Sequence, residues 1–480
     1  MAPCSCHALE DRPIFIVTHA RPILVLTGFL AVSSCVLGPD PRKPQADLPP
    51  AVRGDAAPQG VSFGEKAWPK VFSDPTLREL ITRALKNNPD LIAATYRIEA
   101  ARAQAELASA GGFPQIGGGA DASAKKTSGN TSTLGSDTAH TSESHRLNAL
   151  LSWEADLWGG IRRNNQAARA QWLASESQRN AVRTSLIAAV ASTYIELQNL
   201  DERLAISKRT RESRKGSLNL VIARRDGGVS SDLEVGQAQV LLSQAEITIP
   251  ATEKSIAAKE NEIHALLGEL PSSLPRRGGL PQLNASLHIA AGLPSALLER
   301  RPDVSAASWA FQAATARVGV AEALRFPTLS LTGQGGLISN DLTHLFEHGS
   351  TAYSVGPQLT GSLFDAGAAK ARVRGAKANA NEALALYHAA TVRAFRETAD
   401  ALNSCQKFAE IITEQTRLVD SQRSVSTLAR DRFQAGASGY LEVLDAERGL
   451  FAAELDLADA QRNRLLAIVQ TYRTLGGGWK

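Results

Sequence analysis

The sequence predicts a mixed, internally duplicated fold, made mostly of long α-helices in a coiled coil, with four β-strands. The second half repeats the first: Asn88-Pro89-Asp90 returns as Arg301-Pro302-Asp303, 213 positions later (302 − 89). Windows 161–226 and 368–435 contain no proline and one glycine each, so each can run as a single long helix. Apolar and polar residues also alternate in four shorter stretches, and this period of two residues predicts β-strands. A repeat this long is a duplicated structural unit.

Each repeat is predicted to contain a helix, two strands, a very long helix, a glycine turn and a returning helix. The predicted segments are a signal peptide (1–34), an N-terminal tether (35–74), a first repeat (75–270), a linker (271–293), a second repeat (294–475) and a tail (476–480). Strands are predicted at 115–126, 145–158, 328–336 and 351–364, and helix hairpins at 160–268 and 366–475. We expect an extended, proline-rich tether and one opening helix over 75–110, with Asp74 as its N-cap.

The N-terminus has the features of a targeting segment. An apolar run over 23–32 follows Arg12 and Arg21 and is too short to cross a bilayer as a helix. Small residues then precede Cys35, which resembles a bacterial lipobox, and this resemblance implies S-diacylglyceryl and N-palmitoyl groups on Cys35. The alternative is an ordinary cleaved signal. With Cys35 acylated, Cys405 has no partner for an intrachain disulfide, because Cys4 and Cys6 leave with the signal.

Composition and motifs indicate no enzyme. The formal net charge of +4 is nearly neutral for 480 residues and indicates no nucleic-acid surface. His344 and His348 have a metal-ligand spacing but fall between two predicted strands, so we interpret them as loop residues. Glu154 and Asp156 are interpreted as pore lining on one strand face. We predict no catalytic residue, no metal site and no cofactor.

Four strands with one apolar and one polar face suit a membrane barrel with a wet interior, in contact with membrane lipid. In the second strand Leu147, Leu151 and Trp153 alternate with polar residues. Four strands cannot close a barrel, and an open sheet edge is not tolerated in lipid. Copies must therefore join, and two copies give eight strands while three give twelve.

Taken in order and duplicated, several short motifs resemble the TolC/OprM-like outer-membrane efflux proteins, and within them the NodT-type lipoproteins. These motifs are Cys35, Gly38-Pro39-Asp40, Trp68 with Phe72-Ser73-Asp74-Pro75, the strand exits ADLWGG and SLFDAG, and the terminal YRTLGGGW. The resemblance implies a homotrimer with a 12-stranded outer-membrane β-barrel and a periplasmic α-barrel. It also implies a periplasmic adaptor and an inner-membrane pump as partners. Pro41 and Pro250 depart from the family pattern.

The periplasmic tip is predicted at the glycine turns Gly227-Gly228 and Gly436, where the long helices reverse. Leu441, Asp445 and Arg448 follow at i, i+4 and i+7, on one helix face. The resemblance implies that Leu441 closes the pore while Asp445 and Arg448 latch it, and we expect nearby Glu442 to favour cations. Solvated surface charge is the alternative.

The function favoured by these features is a passive conduit that carries small molecules expelled by a pump across the periplasm and outer membrane. A type I secretion channel for proteins and a channel for a nodulation signal remain open. A lipid-anchored coiled-coil structural protein is a third reading, but it has no need of duplicated amphipathic strands. Substrate, pump and adaptor are not identified by the sequence.

Overall fold

The computed structural model of the chain describes residues 36–45, 47–54, 62–128, 140–275 and 290–479. A sheet unit contains 107–166 and 315–377 with the described residues up to Asp40, and a helical unit contains the rest. The helices are α1 (Trp68–Val71), α2 (Pro75–Asn87), α3 (Pro89–Ala110), α4 (Gly160–Asp226), α5 (Asp232–Leu267), α6 (Pro294–Arg300), α7 (Pro302–Ala323), α8 (Ala368–Gln434) and α9 (Tyr440–Thr474). The strands are β1 (Gln115–Thr127), β2 (His140–Ala155), β3 (Thr328–Ser339) and β4 (Thr351–Thr360).

The predicted long helices are confirmed, since α4 and α8 each have 67 residues. The return helix α5 begins with a capping box between Ser231 and Glu234 and ends at Gly268, which adopts φ 71°. The helix continues through Pro250 without a break.

The opening helix of each repeat is broken, and the prediction of one helix over 75–110 was wrong. α2 ends at Asn87 and α3 begins at Pro89. Asn88 between them has an extended backbone (ψ 123°), because the ring of a following proline clashes with a helical conformation of the residue before it. Asn88 Oδ1 accepts a hydrogen bond from Leu91 N at 3.0 Å and so caps α3. Arg301, before Pro302, separates α6 from α7 in the same way. Asp74 caps α2 by accepting from Leu77 N at 2.9 Å.

The end of the proline-rich segment is packed rather than extended, so the prediction of a tether reaching to residue 74 was wrong there. Phe63 and Phe72 are buried and meet the Tyr472 ring edge-on, at centroid distances of 5.7 and 6.0 Å. Tyr472 Oη donates to Lys66 O at 2.6 Å. Burial of aromatic surface therefore fixes this segment in the main core of the helical unit.

The four strands form one antiparallel sheet in the order β1-β2-β3-β4. β2 was predicted at 145–158 and β4 at 351–364, but β2 ends at Ala155 and β4 at Thr360. Asp156 directly follows β2, and Asp365 lies five residues after the end of β4; each aspartate caps the next helix. Asp156 accepts from Ile161 N and Arg162 N, and Asp365 accepts from Gly367 N and Ala369 N. Asp156 is thus a helix cap, and the prediction that it lines a pore from a strand was wrong.

Candidate functional site

The sheet has one apolar face and one polar face, and cross-strand register keeps them consistent over all four strands. Leu151 pairs with Ile116 on β1 and with Gly333 on β3, which pairs with Val355 on β4. The large residues of this face are exposed in the single chain, namely Ile116, Leu147, Trp153, Tyr353, Val355 and Leu359. An exposed contiguous apolar face of this kind indicates contact with lipid or protein.

The opposite face is mostly polar. Ser152 pairs with Gln115 and Thr332, and Glu154 pairs with Ser330. Leu150 and Ile338 are the large apolar exceptions on this face. β1 and β4 are the two outer strands of the order, so their outer edges have no neighbouring strand among the described residues.

The segment that follows Cys35 is fixed to the sheet unit by Arg163, although Cys35 itself lies outside the described residues. Arg163 is only 2 % exposed; its Nε donates to Leu37 O at 3.0 Å, and its Nη2 donates to Gly38 O at 2.9 Å. Nη2 also pairs with Asp40 Oδ1 at 3.0 Å. Gly38 adopts φ 82° and packs so closely on Gly319 that a Cβ would overlap it. The Gly-Pro-Asp motif therefore places the residue after the predicted lipid anchor at a defined position.

The two predicted tip turns need glycine at one position each. Gly228 and Gly436 adopt φ 74° and 73°, the left-handed region, whereas Gly227 does not have a positive φ. Arg224 connects the turns, because its Nη1 donates to Phe433 O at 2.8 Å and its guanidinium lies 4.5 Å from the Phe433 ring centroid. The ends of α4 and α8 are therefore adjacent.

The predicted gate residues lie together on α9. Leu441 is 60 % exposed, and Asp445 and Arg448 are exposed too. Within the described part of the chain, neither Asp445 nor Arg448 makes an ion pair or hydrogen bond. Glu442 differs, since its carboxylate lies 3.7 Å from Arg432 Nε. The geometry leaves Asp445 and Arg448 available to groups outside this chain.

Sequence reasoning missed a buried polar cluster beside the gate face. Glu447 is 5 % exposed; it accepts from Ser217 Oγ at 2.8 Å and lies 3.6 Å from Arg430 Nε. Burial lowers the pKa of nearby Arg214, although the charge of Glu447 opposes this. Burial, and then Glu447, raise the pKa of Tyr440 to about 12. The available signal was Glu447 itself, a charge on the apolar face of α9 between Val443 and Leu450.

Within the described residues, no group of three or more His, Cys, Asp or Glu side chains could hold a metal ion. His344 lies in a short 3-10 turn, 3.9 Å from carboxylate oxygens of Asp341 and Glu347. Over the same part of the chain, no helix combines the length and apolar character required to cross a bilayer.

The model of the outer membrane efflux protein family matches the chain twice, over residues 80–269 and 293–477. The chain belongs to this family. The solvent efflux pump outer membrane protein SrpC of Pseudomonas putida is 33 % identical over 95 % of this chain and 98 % of its own length. Outer membrane protein OprJ of Pseudomonas aeruginosa is 33 % identical over 94 % of each chain.

Solved structures of the family have the same fold. The outer-membrane channel OprN superposes with a TM-score of 0.88 at 34 % identity, covering 93 % of this chain and 100 % of its own. The Neisseria gonorrhoeae MtrE channel gives 0.83 at 28 % identity, over 93 % and 99 %. As an efflux channel protein of the outer membrane, the chain combines long helices of the α-barrel type with a strand contribution to the barrel. Its family and relatives are transport proteins.

Proposed function

We propose that three copies of this chain form a passive conduit, through which small molecules expelled by an inner-membrane pump cross the periplasm and outer membrane. The observation that carries the proposal is the four-stranded sheet with a continuous apolar face and two open edges. Three copies of four strands give a twelve-stranded barrel in which β4 of each copy pairs with β1 of the next. Closure gives the backbone N–H and C=O groups of both outer strands hydrogen-bond partners, and it turns the polar face toward a wet interior.

The chain then serves a tripartite system, together with a periplasmic adaptor and the pump. Support comes from relatives whose names describe outer membrane proteins of solvent and toluene efflux pumps. An antibiotic efflux pump outer membrane protein is 32 % identical over 96 % of this chain. We infer that small apolar toxicants are the cargo class. Selection of this cargo would then rest with the pump.

The conduit is gated at the tip and anchored by lipid. We assign the closed gate to Leu441, with Asp445 and Arg448 pairing between copies, because both charges are exposed and make no ion pair or hydrogen bond with the described residues of their own chain. Gly227, Gly228 and Gly436 lie in the turns at the tip, and the adaptor docks at this tip. Cys35 carries the acyl groups, and Arg163 holds the following residues against the sheet unit.

Expression of the chain in a strain lacking its own efflux channel tests the proposal. We expect restored resistance to toluene and to apolar antibiotics when a compatible adaptor and pump are present. Detergent-extracted protein should have about three times the mass of the mature chain by light scattering. A monodisperse monomer would leave the sheet edges unsatisfied and contradict the trimer; unchanged cargo accumulation with a correct trimer would contradict the efflux role.

A further inference from the structure

A cavity of about 160 Å³ lies in the helical unit, among α4, α8 and α9. A single water molecule needs only about 10–15 Å³ of such volume, so a polyatomic ion also has room. The lining includes three arginines from two helices and the glutamate of the buried polar cluster, namely Arg209, Arg214, Arg430 and Glu447. Three hydroxyl side chains and Glu454 line it too. The cavity therefore concentrates hydrogen-bond donors beside α9, the helix of the predicted gate.

Both carboxylates of the lining already have partners. Glu447 accepts from Ser217 Oγ at 2.8 Å and lies 3.6 Å from Arg430 Nε. Glu454 Oε1 lies 3.1 Å from Nη2 of Arg423, which is outside the lining. Three arginines thus face two glutamates, and one of these glutamates is paired from outside the cavity. Positive charge is in excess.

Arg214 is a buried cation that forms no ion pair within the part of the chain that the structure describes. It is 2 % exposed; its Nη1 donates to Leu241 O at 2.6 Å, and its guanidinium lies 5.0 Å from the Phe451 ring centroid. Its Nε is buried without a hydrogen-bond partner among the same residues. Burial lowers the pKa of Arg214; Glu447 opposes this, while the charge of Arg448 adds to it. A guanidinium stays charged at neutral pH, so its desolvation is costly unless an anion compensates it.

We propose that this cavity binds a small oxyanion of the phosphate or sulfate type. Guanidinium groups suit such ions, because their fork of N–H donors matches two oxygens at once. The side chains of Arg209 and Arg430 are 61 % and 38 % exposed, so an ion can reach their guanidinium groups. Ser426 Oγ accepts from Arg430 Nη2 at 3.2 Å and orients that guanidinium. The bound ion offsets the excess positive charge and ties α4 to α8, and it requires neither the proposed conduit nor the trimer.

Isothermal titration calorimetry of the full-length, detergent-extracted protein tests the site. Potassium phosphate and potassium sulfate are titrated separately, in potassium chloride buffers of matched ionic strength. We expect saturable binding of at least one of the two ions, with one ion per chain. In Arg430→Gln and in Arg209→Gln the affinity should fall at least tenfold, because each variant loses donors and a positive charge at the cavity. Arg417→Gln is the matched control and should bind like wild type, because Arg417 is an exposed arginine of α8 that pairs with Glu414 at 2.8 Å and does not line the cavity.

The remaining outcomes each decide against the site or against the conduit. Absence of saturable binding to the wild-type protein overturns the site, and so does an equal loss of affinity in the Arg417→Gln control. Should Arg430→Gln fail to assemble, the exposed Arg209→Gln variant decides, and wild-type affinity in that variant overturns the site. Light scattering of the same samples reports the trimer separately. A monomer that binds the ion contradicts the proposed function and supports the anion site, whereas a trimer that binds no ion does the reverse.

Discussion

Removing both gate charges should open the tip. Asp445 and Arg448 are exposed and form no ion pair with the part of their own chain that the structure describes, so in a closed trimer each aspartate can pair with an arginine of the next copy. An exposed ion pair contributes about 0.2–1 kcal/mol, so three copies hold the closed state by about 0.6–3 kcal/mol. Since about 1.4 kcal/mol is a factor of ten, Asp445→Ala with Arg448→Ala should raise the ratio of open to closed tips by roughly 3- to 150-fold.

Single-channel conductance in planar bilayers measures this change, and susceptibility to a large antibiotic such as vancomycin measures it in cells. Arg225→Ala with Asp226→Ala is the matched control, because it also removes one charge of each sign near the tip. That pair is satisfied within the chain, with Arg225 Nη2 2.7 Å from Asp226 Oδ1. Conductance equal to wild type in a correctly assembled trimer, or an equal rise in the control, would refute the assignment of these residues to the gate.

Three further predictions concern the turns, a buried ion cluster and the anchor. Gly228→Ala and Gly436→Ala should each cost about 1 kcal/mol of unfolding free energy because of their positive φ, whereas Gly227→Ala should be nearly neutral in urea unfolding; equal losses would contradict this. Arg301→Ala should lower the unfolding free energy by about 3 kcal/mol, because Asp303 and Glu397 lose a buried partner 2.7 and 2.9 Å away. Burial raises the pKa of Asp303, but the hydrogen bond and charge of Arg301 outweigh burial, so the pKa of Asp303 is lowered. The stability lost in Arg301→Ala should therefore shrink as pH falls through the folded pKa of Asp303. A pH-independent difference between variant and wild type would argue against the pairing. Cys35→Ser should abolish incorporation of labelled palmitate, and a wild-type chain without label would end the anchor assignment.

The long helices were predictable because their cause is local. The two windows contain no proline and one glycine each, so little in them interrupts a helix, and the glycine turns mark where the helices end. The polar and apolar sheet faces were also visible, since period-two alternation determines them without knowledge of strand pairing.

The errors occurred where side chains override a periodic pattern. Alternation continues past Ala155 to Leu157, yet β2 stops because the Asp156 carboxylate binds two backbone N–H groups of α4. Phe63 and Phe72 lie in a proline-rich stretch without periodicity, yet tertiary packing on Tyr472 orders them. Glu447 was overlooked because its partner Ser217 is 230 residues away, and no local pattern predicts such a pair.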